Sequence, residues 1–134
     1  MTQAKIFYGT VFPGSSAVFL ARVVGEYSET LKRRELLSGN YSAYLVDPLS
    51  PEVLTPIEER QKVELDLDSV FFNALQMDSS WDCDSEGFNF RHVPEIGGSE
   101  LFALSRRFYQ LDYEFHLLDE KRLPARIQFR VMTR

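Results

Sequence analysis

The chain has 134 residues with 20 acids against 15 bases, a formal net charge of −5, and 44% of its residues are hydrophobic, 13% aromatic. So many large rings provide more buried area than a disordered chain or a miniature stapled scaffold has, which leaves one globular domain over residues 1–134. The single cysteine, Cys83, excludes an internal disulfide and fits a reducing compartment.

The opening run MTQAKIFYGTVFPGSSAVFLARVVGEY is broken by Gly9, Pro13 and Gly14. A secretory leader needs about 7 to 15 unbroken apolar residues and a membrane span roughly 20, so neither is expected. Residues 4–8 read as a short strand, with 1–10 as an N-terminal arm or edge strand. Residues 17–24 are mostly apolar on both faces, as expected of an interior strand. YSAYLVD at 41–47 is the next strand, and a loop with Pro48, Pro51 and Pro56 follows it. In KVELDLD at 62–68, Val63, Leu65 and Leu67 alternate with Glu64, Asp66 and Asp68, which predicts a strand with an acidic outer face. Asp68 and Ser69 then precede VFFNALQ, a pattern for a short capped helix with Val70, Phe71, Ala74 and Leu75 on the core side. Residues 88–91 form another short strand, and 100–107 a second helical turn.

The strongest signal lies at the C-terminus. Tyr109, Leu111, Tyr113, Phe115 and Leu117 alternate with Gln110, Asp112, Glu114 and His116. After a polar turn at 119–122 and Pro124, Ala125, Ile127, Phe129 and Val131 alternate with Arg126, Gln128 and Arg130. Period two on both sides of a turn predicts an antiparallel hairpin over 109–117 and 125–131, with Pro124 at a strand entry where its missing N–H is tolerated. Several short strands separated by turn signals point to an all-β sandwich or barrel with one or two short helical turns.

Charge is unevenly spread: residues 52–86 carry ten acids against two bases, and residues 105–134 seven bases against four acids. A sequence pI near 5.0 argues against direct nucleic-acid binding, leaving Arg106, Arg107, Arg126 and Arg130 as a local patch.

No constellation supports catalysis. Asp82, Asp84 and Glu86 before Gly87 resemble the first ligands of a calcium loop, but the twelfth position, where a bidentate Glu belongs, is Val93. A tight, solvated acidic turn is the better reading, and the calcium-binding or metal-dependent module is kept as the alternative. Cys83, His92 and His116 lack zinc spacing, and GTVFPGSS lacks the lysine of a phosphate loop. Glu64, Asp66 and Asp68 read as a soluble strand face rather than paired acid and base. No cofactor is expected. The run from Trp81 to His92 remains: a core rim on one reading, a recognition edge on the other, with Trp81, Phe88, Phe90, Arg91, His92 and Arg107 as candidate interaction residues.

The segment DSVFFNALQMDSSWDCDSEGFNFRHVP, followed by RRFYQLDYEFHLL and a closing strand, resembles a group of small uncharacterised bacterial and phage-associated proteins. Its marks are an Asn-Phe-Arg-His run, a Tyr-rich strand and a final hairpin, matched here at Trp81, Asp84, Gly87 to His92, Arg107, Tyr109 and Tyr113. The front half, FPGSSAVFLARVV and then YSAYLVDP, resembles the opening of Ig-like β-sandwich domains in phage particle and tail-accessory proteins. The chain departs from the pattern at Arg106, where a Gly is expected, and at Ala103, where a Pro is expected.

The resemblance implies an Ig-like antiparallel β-sandwich and a non-enzymatic structural subunit of a phage or phage-like particle: a capsid decoration (cement) protein, or a neck, tail or baseplate accessory. The expected partners are protein subunits of a larger assembly, including further copies of the chain, with neither nucleic acid nor membrane. The expected location is the virion or the cytoplasm of the bacterial host. The ends, MTQAKIFY and RVMTR, are expected to serve as arms or edge strands on a neighbour.

Overall fold

The computed structural model describes residues 5–11, 17–25, 27, 29–76, 88–94 and 101–134. Among the described residues nine strands build two sheets: β1 (Lys5–Val11), β2 (Phe19–Ala21), β3 (Leu36–Val46), β4 (Leu54–Pro56), β5 (Val63–Glu64), β6 (Phe71–Gln76), β7 (Phe88–His92), β8 (Phe108–Leu117) and β9 (Ala125–Thr133). The large sheet runs β1-β9-β8-β3-β4, with β5 also paired to β3, and the small sheet runs β2-β7-β6. The protein is an all-β sandwich. β9, β8, β3 and β4 occupy the places of strands G, F, C and C′ of an immunoglobulin domain, and β2, β7 and β6 those of B, E and D.

Aromatic contacts join the sheets. Phe19 of the small sheet lies 4.7 Å, ring to ring, from Phe129 of the large one, and Phe90 lies 5.0 Å from Tyr113. Phe71 meets Phe115 edge-on at 5.3 Å. Inward rings of both sheets thus interdigitate, which supplies burial and oriented π contacts together. At the start of β8 the Tyr109 hydroxyl accepts the Leu104 N–H at 3.1 Å, the tyrosine corner of immunoglobulin-type sandwiches.

The hairpin forms as the alternation requires, with Phe108↔Met132 through Phe115↔Ala125 in antiparallel register. Three expectations are corrected. First, β1 pairs with β9 in parallel, from Lys5↔Ile127 to Val11↔Thr133, so the sandwich is not wholly antiparallel. The whole domain lies between these two strands in sequence and serves as the long crossover that a parallel pair needs. Since β9 sits between β1 and β8, the chain through Thr133 is built into the sheet and is not a free arm; β1 is an edge strand.

Second, the strand over 62–68 pairs only at Val63 and Glu64. The chain then turns into a single helical turn, α1 (Leu67–Val70), whose Ser69 Oγ donates to Asp66 Oδ2 at 2.7 Å. The alternation still sorts burial: Leu67 is buried, Val63 and Leu65 pack on the core, and Glu64, Asp66 and Asp68 are exposed. Third, the helix expected to run on through VFFNALQ stops at Val70, and Phe71–Gln76 is strand β6. Two adjacent phenylalanines favour an extended backbone, and pairing with β7 gives that backbone its hydrogen bonds.

Candidate functional site

Two surfaces combine polar chemistry with defined geometry. The first is the outer face of the large sheet. Cross-strand register on β3, β8 and β9 sets its side chains in three rows: Tyr44, Gln110, Arg130; Ser42, Asp112, Gln128; Asn40, Glu114, Arg126. A fourth row, Phe108 with Met132, adds two exposed apolar side chains at one end.

Polar contacts run within these rows, and one hydrogen bond links the first row to the second. An Arg130 Nη2–H donates to Gln110 Oε1 and reaches the Pro51 carbonyl at 3.4 Å, and Gln110 Nε2 donates to Asp112 Oδ1 at 2.9 Å. Glu114 stands 3.0 Å from His116 Nε2 and 3.6 Å from Arg126 Nε. Burial pushes the Asp112 carboxyl above its usual range, against the opposing pull of the Gln110 and Gln128 amides and of Arg130. A dish of about 270 Å³ opens beside it, with Ser42, Tyr44, Lys62 and Gln128 on its walls.

The second surface is a cleft of about 440 Å³ where α1 and the end of β7 meet β3, lined by Tyr41, Arg60, Glu64, Asp66, Arg91 and His92 among others. His92 Nδ1 lies 2.7 Å from the Tyr113 hydroxyl. Tyr113 is wholly buried, and that burial holds its phenol protonated well above the ordinary range. A buried O–H must donate, so it donates to Nδ1, and the proton of neutral His92 sits on Nε2. Burial holds the imidazole pKa down at about 4. The lone pair that a general base would use is therefore already engaged by Tyr113.

The candidates from the sequence fall in different environments. Phe90 is fully buried between the sheets, so it is a core residue and no surface anchor. Arg91 and His92 line the cleft. Arg107 turns inward at the sandwich end, where its Nη2 donates to the Val46 carbonyl at 3.4 Å, while its backbone N–H donates to Thr133 Oγ1. Phe88 is described only as a position on β7. Trp81, Asp82, Cys83, Asp84 and Glu86 lie outside the described residues. Among the described residues no three His, Cys, Asp or Glu side chains cluster as metal ligands, and no helix is long and apolar enough to cross a membrane.

The rows around Asp112 were not singled out from sequence as a site, although their signal was present. Once the hairpin register is set, the polar positions of 109–117 place Asp112 and Glu114 on one strand, opposite Gln128 and Arg126 on the next. Compared with known proteins, the chain matches no family model, no curated protein and no solved structure.

Proposed function

We propose that this chain is a non-enzymatic structural or assembly subunit that docks onto protein neighbours through the outer face of its large sheet. The observation that carries this reading is Asp112. A carboxylate on a solvated sheet face has no reason to be desolvated, yet this one lies within a dish and is held by two neutral amides. Its charged form costs stability, and a perturbed carboxyl lying in a concavity is a candidate working group. The surrounding bonds fix Gln110, Asp112, Glu114 and Arg130 before any partner arrives, which lowers the entropic cost of binding. In the cleft, His92 Nδ1 is already occupied by the Tyr113 hydroxyl and is not free to take a proton from a ligand.

The assembly it serves is a phage or phage-like particle, with the chain as a decoration subunit or a neck, tail or baseplate accessory, located in the virion or in the cytoplasm of the bacterial host. The support for this part is the resemblance carried by the Asn-Phe-Arg-His run and the Tyr-rich β8, together with the Ig-like strand order. Copurification with assembled particles through salt washing tests the proposal. The wild type is expected to remain bound, Asp112→Arg to be washed away, and Arg91→Ala to behave as wild type. A chain that never associates with particles and instead binds a small molecule in the His92 cleft overturns it.

A further inference from the structure

Resting on the reading of the large sheet's outer face as a docking surface, we propose that one occupant of that face is a second copy of this chain, packed face to face across a twofold axis parallel to the strands and midway between β8 and β9.

The pattern of charge selects this arrangement. Outward along β8 run Phe108, Gln110, Asp112 and Glu114, and beside them along β9 run Met132, Arg130, Gln128 and Arg126, each pair in register. A twofold axis between the two strands exchanges the columns and keeps every row at its own height. Phe108 then covers the partner's Met132, Gln110 meets the partner's Arg130, Asp112 meets the partner's Gln128, and Glu114 meets the partner's Arg126. Two other in-plane axes fail. An axis along β8 sets Asp112 against the partner's Asp112, and an axis across the strands stacks Arg126 on the partner's Arg130.

The remaining requirements are met. Packed sheets lie about 10 Å apart, a gap that an arginine and a carboxylate from opposite faces span together. Four to five strands at about 4.8 Å spacing and some 27 Å of shared length offer roughly 600 Å² in projection, near the roughly 800 Å² per partner of a standard interface. The chain carries −5 and repels its copies at long range, but Asp112 and Glu114 balance Arg126 and Arg130 on this face. Association is accordingly weak, and weakened further by salt.

Sedimentation of two charge variants tests the proposal. One carries Arg126→Glu and Arg130→Glu, making both columns acidic; the other carries Asp112→Lys and Glu114→Arg, making both basic. The wild type is expected to move to doubled mass as concentration rises. Each variant alone is expected to stay monomeric, and an equimolar mixture of the two to recover the doubled mass. Loss of the pairs within one copy cannot explain such recovery, because each variant lacks them. Where a double variant does not fold, Glu114→Arg mixed with Arg126→Glu gives the same reading. A wild type that stays monomeric, variants that dimerise alone, or a mixture that does not recombine each overturns the proposal. A monomeric wild type whose face variants still lose particle binding overturns the second copy alone and leaves the docking surface standing.

Discussion

The side chain of Asn89 replaces a strand in pairing with Val23: its Oδ1 accepts the Val23 N–H at 2.7 Å and its Nδ2 donates to the Val23 carbonyl at 2.8 Å. The same Nδ2 donates to the Leu31 carbonyl at 2.8 Å. One amide on β7 thus fastens the connection between β2 and β3, more than 50 residues away in sequence. Asn89→Ala takes the partner from the Val23 N–H and the Leu31 carbonyl, while the Val23 carbonyl keeps the Leu31 N–H at 3.1 Å, and is expected to cost about 2–4 kcal/mol. Urea denaturation checks this; a loss below about 0.5 kcal/mol means that the connection rests on something else.

Stability is expected to fall in mild acid because of His92. Its pKa is about 4 in the folded protein and near 6.5 when unfolded. Above 6.5 both states are neutral, and between 6.5 and 4 only the unfolded chain takes up the proton, so stability drops across that window. The loss is roughly 2–3 kcal/mol by pH 4, reduced from the full shift because the ring is partly exposed. His92→Gln should flatten this segment of the pH profile, and an unchanged slope in the variant refutes the assignment.

Asp112 has the opposite sign. Its folded pKa is raised, so the folded state holds its proton more tightly, and stability declines as pH rises through that value. Asp112→Asn removes the cost at neutral pH, and the gain disappears once the wild-type carboxyl is protonated in both states. With the group only about half-buried, water screens much of the penalty, and a gain of ~0.5 kcal/mol is expected. A destabilised Asp112→Asn protein would show that the carboxylate holds the fold.

Two backbone positions respond oppositely to glycine. A Cβ added at Gly39 meets the Phe115 ring at 2.9 Å and Leu67 Cδ2 at 3.0 Å, so Gly39→Ala overpacks the core and should cost about 1–3 kcal/mol. Arg106 stands at φ 55°, in the left-handed region that favours glycine. Arg106→Gly relieves that strain and should raise stability by about 0.5–1 kcal/mol, less the entropy glycine adds to the unfolded chain. Thermal melts of both variants test the pair of signs.

By itself, the sequence determined which residues are inside. Strict alternation over 109–117 and 125–131 leaves only one face of a strand for the apolar set, so the hairpin and the β-rich class follow from local pattern. At 62–68 alternation sorted burial correctly even though the strand stopped after Glu64, because the period reports which side faces the core and not which backbone is hydrogen-bonded.

Only the tertiary structure decided the rest. Asn89 alternates as an outward residue, yet it is fully buried because a distant connection folds over it. VFFNALQ carries helix and strand signals together, and pairing with β7 chose the strand. The parallel union of β1 with β9, the hydroxyl that fixes the His92 tautomer, and the rows around Asp112 all join residues distant in sequence. Local propensity is a property of neighbours along the chain, whereas register and desolvation depend on what the completed sheets bring to each side chain.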